Sequence, residues 1–453
     1  MNLRQRAFAV LAGAALAHCA ARGQSADFET FNPLSSKTGG VHLLGASVST
    51  SYFSNAYGLG LTGLLPSGDS NVVIAQGSLL IGWSRQRQKS NINITYAPSY
   101  VHGIQLSNYS SFNQAFSFGA DKTLNGKWSI NTSVQALLSD FTQLLFSPTR
   151  YGSLSTAPST FDDFSAAILT GRSDNTSLQQ MVGAASAISS PETAAVYGNR
   201  LLSAAAAVSV SYAQSTRSTY HVSAVASRAQ YYTGGSSAPE TRPGYLIPKT
   251  TTGGVLLSWS YSLTPRTTLS LDASSTRTVS QYQDGYLSQS NVSMGRTMSR
   301  RWFLQGTVGV GFITPVRQTF STPHGAQEQY GGSIGYKLDA HTLLASYQRT
   351  ASDIYGYGAN AMETSTGAWT WKRPGRTISL SGSFGYIRLL GSAFPNQGSW
   401  TAHILAVKAL NAHLALSGGY SYIQFPQTVL ISTPNLTQHG VIVTLSWSPS
   451  ERQ

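Results

Sequence analysis

Apolar residues alternate with small polar residues along most of the C-terminal half of the chain. Val255, Leu257 and Trp259 fall on one parity, whereas Ser258 and Ser260 fall on the other. Successive side chains of a strand point to opposite faces, so the pattern predicts strands with one apolar and one polar face. The alternating stretches are about 13 residues long, whereas strands of soluble proteins are usually ~5–6 residues long. Such strands are typical of a transmembrane β-barrel, which has lipid outside and water inside.

The composition favours the same architecture. Only 10% of the residues are charged, yet the mean hydropathy is near zero, at -0.10. After the N-terminus no apolar run reaches the ~18 residues of a membrane helix, which leaves a closed barrel as the way to span a bilayer. The formal charge is +13, but the basic residues do not cluster into a stripe, and many sit singly at turns. Nucleic acid is therefore not an expected partner, whereas outer-membrane lipids are.

The N-terminus predicts a secretory signal peptide over residues 1–21. Arg4 precedes a short apolar stretch at 7–17, and small residues follow it. Cys19 is the only cysteine, and its surroundings partly match a lipoprotein box, which is the alternative to ordinary cleavage. Residues 22–40 are then an N-terminal periplasmic segment.

Short turns and longer connections alternate along the chain. Asn125-Gly126 and Pro374-Gly375 are pairs that favour tight turns, and longer connections lie between such turns, for example at 281–286. In bacterial barrels the short turns face the periplasm and the long loops face outside. The count predicts an all-β, antiparallel, up-and-down barrel of about 18 strands (16–18) over residues 41–448, with a periplasmic tail at 449–453.

Four arginines lie on the apolar parity of their strands, some 8 to 11 residues beyond a short turn: Arg228, Arg277, Arg349 and Arg388. Ten strand residues climb about 25 Å at the usual tilt, which is the height of the apolar band. We therefore expect these arginines at the outer rim, where guanidinium groups pair well with lipopolysaccharide phosphates. Simple solvation at strand ends is the alternative.

One connection is much longer than the others and spans residues 140–198, the third outside loop in the count. Parts of it have helical spacing, and its apolar residues favour packing on another surface over disorder. The sequence thus predicts a long, partly helical extracellular loop that either narrows the lumen or caps the rim. Its acidic residues would give such a constriction a negative side: Asp162, Asp163, Asp174 and Glu192.

The predicted luminal face consists mostly of Ser, Thr, Gly, Ala, Gln and Asn, which suits passive passage of small polar solutes. A plugged structural or envelope-assembly barrel without conductance is the alternative, and an outer-membrane hydrolase is a third. No catalytic motif, metal motif or phosphate-cradling loop is present, so we expect neither an enzyme nor a cofactor. The expected partners are outer-membrane lipids, lipopolysaccharide, the barrel-assembly machinery, and polysaccharide or small solutes.

Two segments carry a resemblance to known proteins. Leu263–Leu271 and Met298–Gly306 each join a tight turn to an alternating strand. They resemble the units of uncharacterised porin-like outer-membrane β-barrel proteins, some of which are associated with exopolysaccharide loci. The resemblance covers roughly residues 200–448 and implies a pore and a role in polysaccharide export, but assigns no functional residue. Trp447 departs from the usual pattern, because an aromatic residue normally ends such chains.

Overall fold

The computed structural model describes most of the predicted barrel. The described ranges are 40–54, 71–104, 110–140, 200–232, 249–319, 325–353, 359–372, 376–390, 397–425 and 436–449. The predicted signal peptide and almost all of the predicted third outside loop lie outside these ranges. Within them, no helix is long and apolar enough to cross a bilayer.

The described residues form 18 strands of 12 to 17 residues each. Their bounds are β1 Val41–Phe53, β2 Val72–Arg87, β3 Ser90–Gly103, β4 Ser110–Thr123, β5 Trp128–Asp140, β6 Arg200–Ala213, β7 Ser218–Tyr232, β8 Thr250–Thr264, β9 Thr267–Ser280, β10 Gln283–Thr297, β11 Trp302–Gln318, β12 Gly325–Lys337, β13 His341–Asp353, β14 Ala359–Lys372, β15 Ile378–Leu390, β16 Gln397–Ala409, β17 Leu414–Phe425 and β18 Leu436–Trp447.

Each strand pairs antiparallel with the next one along the chain, and β18 pairs with β1 to close the sheet. The closing register runs from Ala46 opposite Trp447 to Phe53 opposite Gly440. Closure pairs the two strands that would otherwise be edges, which a sheet surrounded by lipid requires. The predicted antiparallel, up-and-down barrel of 18 strands is confirmed.

Four tight turns at one end of the barrel share the same local hydrogen-bond pattern. We call this end the turn end. A side-chain oxygen at the start of the turn accepts hydrogen bonds from two backbone N–H groups that follow it. Asn125 Oδ1 accepts from Lys127 and Trp128, each at 2.9 Å, and Asn411 Oδ1 does the same one hairpin before β18. Ser215 and Ser299 use their hydroxyl groups in the same way. Such local bonds offer the backbone a turn instead of a continued strand.

The expected long connection at 281–286 is wrong. β9 ends at Ser280 and β10 begins at Gln283, so two residues join them. Ser280 Oγ accepts hydrogen bonds from the backbone N–H groups of Tyr282 and Gln283, both at 3.1 Å. The polar, glycine-containing stretch that looked like a loop is the first part of β10, where the register shifts between Asp284 and Gly285. The extra residue of this β-bulge is Val316 of β11, and Gly285 stays paired within β10.

The wall is not evenly paired at the end opposite the turns, which we call the loop end. The register of β12 and β13 stops at Tyr330 opposite Arg349, although β12 begins five residues earlier and β13 continues to Asp353. β13 also contacts β10 and β11, which are not its neighbours in the sheet. The β13–β14 hairpin therefore departs from the cylinder wall beyond Arg349.

Candidate functional site

Large apolar side chains are exposed over the outer face of the cylinder. Val308 is 62% exposed and Ile404 is 60% exposed, which are high values for large aliphatic side chains in a folded protein. Such patches mark contact with a membrane or a partner. The same face carries further exposed apolar side chains on strands all round the sheet: Leu79, Phe116, Val208, Val222, Leu257, Leu271, Val292, Leu304, Leu343, Phe384, Leu416 and Val443.

Aromatic side chains border this apolar surface at both ends. At the turn end the rings of Trp128 and Tyr212 lie 4.6 Å apart, and those of Trp302 and Tyr336 lie 4.3 Å apart. At the loop end the rings of Tyr386 and Trp400 are 4.4 Å apart. Tyrosine and tryptophan combine an apolar ring with a polar group, which suits the interface between hydrocarbon and head groups. Aromatic pairs of this kind therefore lie at both ends of the outer face.

The inner face is lined by hydroxyl groups that bond to one another across neighbouring strands. Thr95 Oγ1 lies 2.5 Å from Ser117 Oγ, and Ser293 Oγ lies 3.0 Å from Thr307 Oγ1. The same arrangement joins Ser346 to Thr366. Cross-strand hydroxyl pairs stabilise a sheet modestly and leave the surface polar but uncharged. The inner wall is thus chemically suited to neutral, hydrogen-bonding solutes.

Charged side chains are sparse on this inner face. Asp121 accepts a hydrogen bond from Asn131 Nδ2 on the neighbouring strand, so its carboxylate is held against the wall. Asp272 is 8% exposed, and Lys337 lies on the same parity as Gln329 at the turn end of β12. Neither sign of charge dominates these positions.

The structure places the four predicted arginines on the outer face, and acidic residues accompany three of them. Arg277 donates from Nε and Nη2 to the two carboxylate oxygens of Asp284, at 2.9 and 2.8 Å. Arg228 instead donates from Nε to Gln230 Oε1 at 3.1 Å, two residues along β7. The bidentate pair neutralises Arg277, whereas Arg228 has no acidic partner among the described residues.

Arg349 and Arg388 share one carboxylate. Glu363 lies opposite both in the registers of β13–β14 and β14–β15, and its oxygens are 3.6 Å from Arg349 Nη1 and 3.8 Å from Arg388 Nη1. The Arg349 guanidinium also lies over the ring of Tyr330, 5.9 Å from its centroid. The cluster of Arg349, Glu363 and Arg388 thus carries one net positive charge at the loop end. Sequence reasoning missed Glu363, although its outer-face parity follows from the same alternation, and missed Asp284 because residues 281–286 were predicted as a connection.

The outer end of the β13–β14 hairpin rests on the inner wall of the barrel. Ala351 is fully buried and packs with Ile313 of β11 and Leu287 of β10, both of which lie on the inner parity of their strands. Gln289 Nε2 on β10 donates to the Ala351 carbonyl oxygen at 2.6 Å. The hairpin therefore crosses the luminal faces of β11 and β12 to reach β10.

Two glycines of β11 leave space at this place, Gly311 for the hairpin and Gly309 for a side chain of β10. A Cβ built on Gly311 would lie 3.1 Å from Ala351 Cβ and would overlap Gln329 Nε2. A Cβ on Gly309 would overlap Asn291 Oδ1. Gln329 Nε2 and Asn291 Oδ1 are buried and have no hydrogen-bond partner in the described part of the chain. The sequence provides no reason for glycines at these positions. The structure provides one, because the hairpin and the carboxamides of Gln329 and Asn291 approach the β11 backbone closely there.

Other predicted sites are not tested by this geometry. The acidic residues of the predicted constriction loop lie outside the described residues: Asp162, Asp163, Asp174 and Glu192.

In the described ranges no group of three or more His, Cys, Asp or Glu side chains could hold a metal ion. Ser211 Oγ lies 2.9 Å from His221 Nδ1 on the inner face. A hydroxyl–imidazole contact is one element of a hydrolase triad and by itself assigns no reaction.

Known structures resemble the chain only distantly. No protein-family model matches the sequence, and no curated protein matches it. Pseudomonas aeruginosa OpdQ is 9% identical with a TM-score of 0.43, covering 89% of this chain and 96% of that one. A BenF-like porin from Pseudomonas fluorescens is 10% identical with a TM-score of 0.44, covering 89% and 98%. The FrpB iron transporter from Neisseria meningitidis is 10% identical with a TM-score of 0.46, covering 84% and 62%.

Proposed function

We propose that this protein is a channel of a Gram-negative outer membrane that passes small polar solutes by diffusion. The observation that carries the proposal is the opposite character of the two faces of one closed sheet: apolar and exposed outside, hydroxyl-lined inside. A soluble barrel would bury its apolar face and expose its polar one. The arrangement seen here is stable only where hydrocarbon surrounds the cylinder.

The height of the apolar surface supports the membrane assignment. Trp302 and Phe312 lie on the outer face of β11, one near each aromatic border, and ten residues separate them. Ten residues of a strand tilted by about 40° rise about 25 Å, the thickness of the apolar band of an outer-membrane barrel. The turn end would then face the periplasm and the loop end the outside.

The chemistry of the lumen supports neutral solutes. Hydroxyl and carboxamide groups exchange hydrogen bonds with a passing solute and bind it weakly, which allows both entry and exit. The sparse and mixed charges at Asp121, Asp272 and Lys337 do not favour ions of one sign. Export of a polysaccharide fits the same wall but remains a prediction from the resemblance alone.

The test is unitary conductance of the refolded full chain in planar bilayers, with uptake of neutral sugars of increasing size into proteoliposomes. We expect discrete conductance steps, sugar uptake with a size limit, and weak ion selectivity. A chain that inserts as a folded, heat-modifiable barrel yet gives neither conductance nor uptake would contradict the channel.

A plugged structural barrel is the second candidate, and one observation favours it. Several inner-face side chains are almost entirely buried, including Val101 at 0%, Thr401 at 1% and Gln329 at 3%. A wide, open lumen would leave such groups accessible. Silence in the same conductance assay would select this function.

The outer-rim arginines form a second part of the proposal, as contacts to lipopolysaccharide. Arg228 and the Arg349–Glu363–Arg388 cluster carry net positive charge where phosphate groups of lipopolysaccharide are expected, and guanidinium–phosphate pairs are strong. Arg277 contributes less to lipopolysaccharide binding, because its guanidinium already forms an ion pair with Asp284. Insertion by the barrel-assembly machinery is a further prediction that follows from membrane location.

A further inference from the structure

The outer end of the β13–β14 hairpin leaves the wall although the strands beside it do not end there. Both β12 and β13 continue past the last paired residues, Tyr330 and Arg349, so strand length does not end the ladder. Abandoning main-chain pairing costs free energy unless other interactions replace it. The replacing interactions lie on the luminal side of β10 and β11.

The luminal interactions form a specific seat for the hairpin. Ala351 packs against Ile313 and Leu287. Gly311 has no side chain, which leaves space for the methyl group of Ala351. Gln289 provides the polar contact, a 2.6 Å hydrogen bond to the Ala351 carbonyl oxygen. These residues come from three strands, and a short side chain at 311 fits only if the flexible end of Gln329 moves aside.

We propose that the outer end of the β13–β14 hairpin is the constriction of the pore, seated on the wall by Ala351 and Gln289, and that it sets the largest solute admitted. This inference rests on the proposed channel function and assigns its size limit to residues other than the predicted third loop. The hairpin runs along the inner faces of β11 and β12 and so occupies lumen that an upright hairpin would leave open.

A disulfide would lock the seated hairpin. Gly311→Cys and Ala351→Cys in a Cys19→Ser background place two Cβ atoms near 3.1 Å, slightly under the usual separation of about 3.5–4.5 Å. The matched control is Ser293→Cys with Thr307→Cys, which joins two paired residues of the inner wall without touching the hairpin. We expect both pairs to oxidise, and the locked hairpin to keep the wild-type conductance and sugar limit.

A buried charge would release the hairpin. Ala351→Asp places a carboxylate in an apolar seat, where burial of an unpaired charge is costly, so the hairpin should lift. We expect unitary conductance to rise above that of the wild type, with a higher sugar limit, because a lifted hairpin leaves more of the lumen open. The control, Thr350→Asp, adds the same charge one residue away on the other face of β13 and should leave the size limit unchanged.

The outcomes separate the constriction from the channel. Efficient Gly311–Ala351 crosslinking together with wider Ala351→Asp pores supports the inference. A second outcome is that the Gly311–Ala351 pair crosslinks but Ala351→Asp, Thr350→Asp and the wild type have the same conductance and sugar limit. The hairpin would then lie on the wall without limiting flow, which would overturn the inference but leave the channel function intact. Failure of the Gly311–Ala351 pair to oxidise when the Ser293–Thr307 pair does so would also overturn it. Folded but silent variants throughout would refute both.

Discussion

Arg277 and Asp284 form a bidentate ion pair across the two-residue turn that joins β9 to β10, with N–O distances of 2.9 and 2.8 Å. The guanidinium also lies 5.5 Å from the ring centroid of Tyr286, the residue opposite it in the register. The pair uses two of the five guanidinium N–H groups and offsets the charge that would attract a lipid phosphate. It therefore divides the predicted arginines into one that is neutralised and others that keep positive charge.

This division predicts unequal effects on lipopolysaccharide binding. Replacing Arg228 with glutamine should release more bound lipopolysaccharide than replacing Arg277, because Arg228 donates only to neutral Gln230. Lipopolysaccharide retained by the purified barrel, quantified after detergent washing, measures the effect.

Arg277→Gln is the matched control, since it removes the same charge from the same rim. If the two variants lose equal amounts of lipopolysaccharide, the ion pair with Asp284 does not prevent Arg277 from binding phosphate in the membrane. Unchanged retention in both, and in the variant with Arg349 and Arg388 also replaced, would remove lipopolysaccharide contact from the rim.

The two faces of β11 predict opposite responses to a new charge. Val308→Arg places a guanidinium on the exposed apolar face and should destabilise the barrel by about 2–4 kcal/mol near the bilayer centre. Thr307→Arg places the same group in the lumen, where water solvates it. Urea unfolding of the barrel in lipid vesicles measures both.

Thr307→Arg serves as the control and has its own readout. It should shift ion selectivity toward anions while costing much less stability than Val308→Arg. Similar destabilisation by the two substitutions would contradict the assignment of the outer face to lipid.

The alternation of residue types was sufficient to predict the strands, their two faces and the closed sheet. Parity alone placed Arg228, Arg277, Arg349 and Arg388 on the outer face, because the side-chain period of a strand is two residues. The same rule applied to acidic residues would have found Glu363, whereas Asp284 fell within the predicted connection at 281–286. Their pairing with particular arginines depends on register, which alternation does not specify.

Turns and tertiary departures were less predictable. Residues 281–286 are polar and contain glycine, as loops do, but Ser280 caps a tight turn, and Gly285 is paired with Thr278 within β10. The inward hairpin has no local signature, because Ala351, Ile313 and Leu287 are ordinary strand residues. Their contact is a property of three strands together.

The hydrogen-bond pattern shared by the tight turns predicts a stability effect at the last short turn before β18. Asn411→Ala removes both hydrogen bonds that Oδ1 accepts from the His413 and Leu414 amides, each at 2.8 Å. A loss of about 1 kcal/mol in unfolding free energy is expected, the usual worth of such bonds. Ala412→Ser, at the exposed neighbouring position, is the control and should change stability little. If Asn411→Ala leaves the unfolding free energy unchanged, water replaces the two hydrogen bonds of the side chain without loss of stability.

The shared carboxylate at the loop end predicts a gain of anion binding on its removal. Glu363→Gln leaves Arg349 and Arg388 facing each other without the oxygens that now lie 3.6 and 3.8 Å away. Retention of lipopolysaccharide should rise, because its phosphate supplies the missing negative charge. The unliganded barrel should lose stability, by about 0.2–1 kcal/mol given that the cluster is partly exposed. Ser365→Gln, two residues along the same face of β14, adds a similar side chain without removing a charge and should change neither property. Lower retention in Glu363→Gln would show that the carboxylate positions the arginines for the phosphate instead of competing with it.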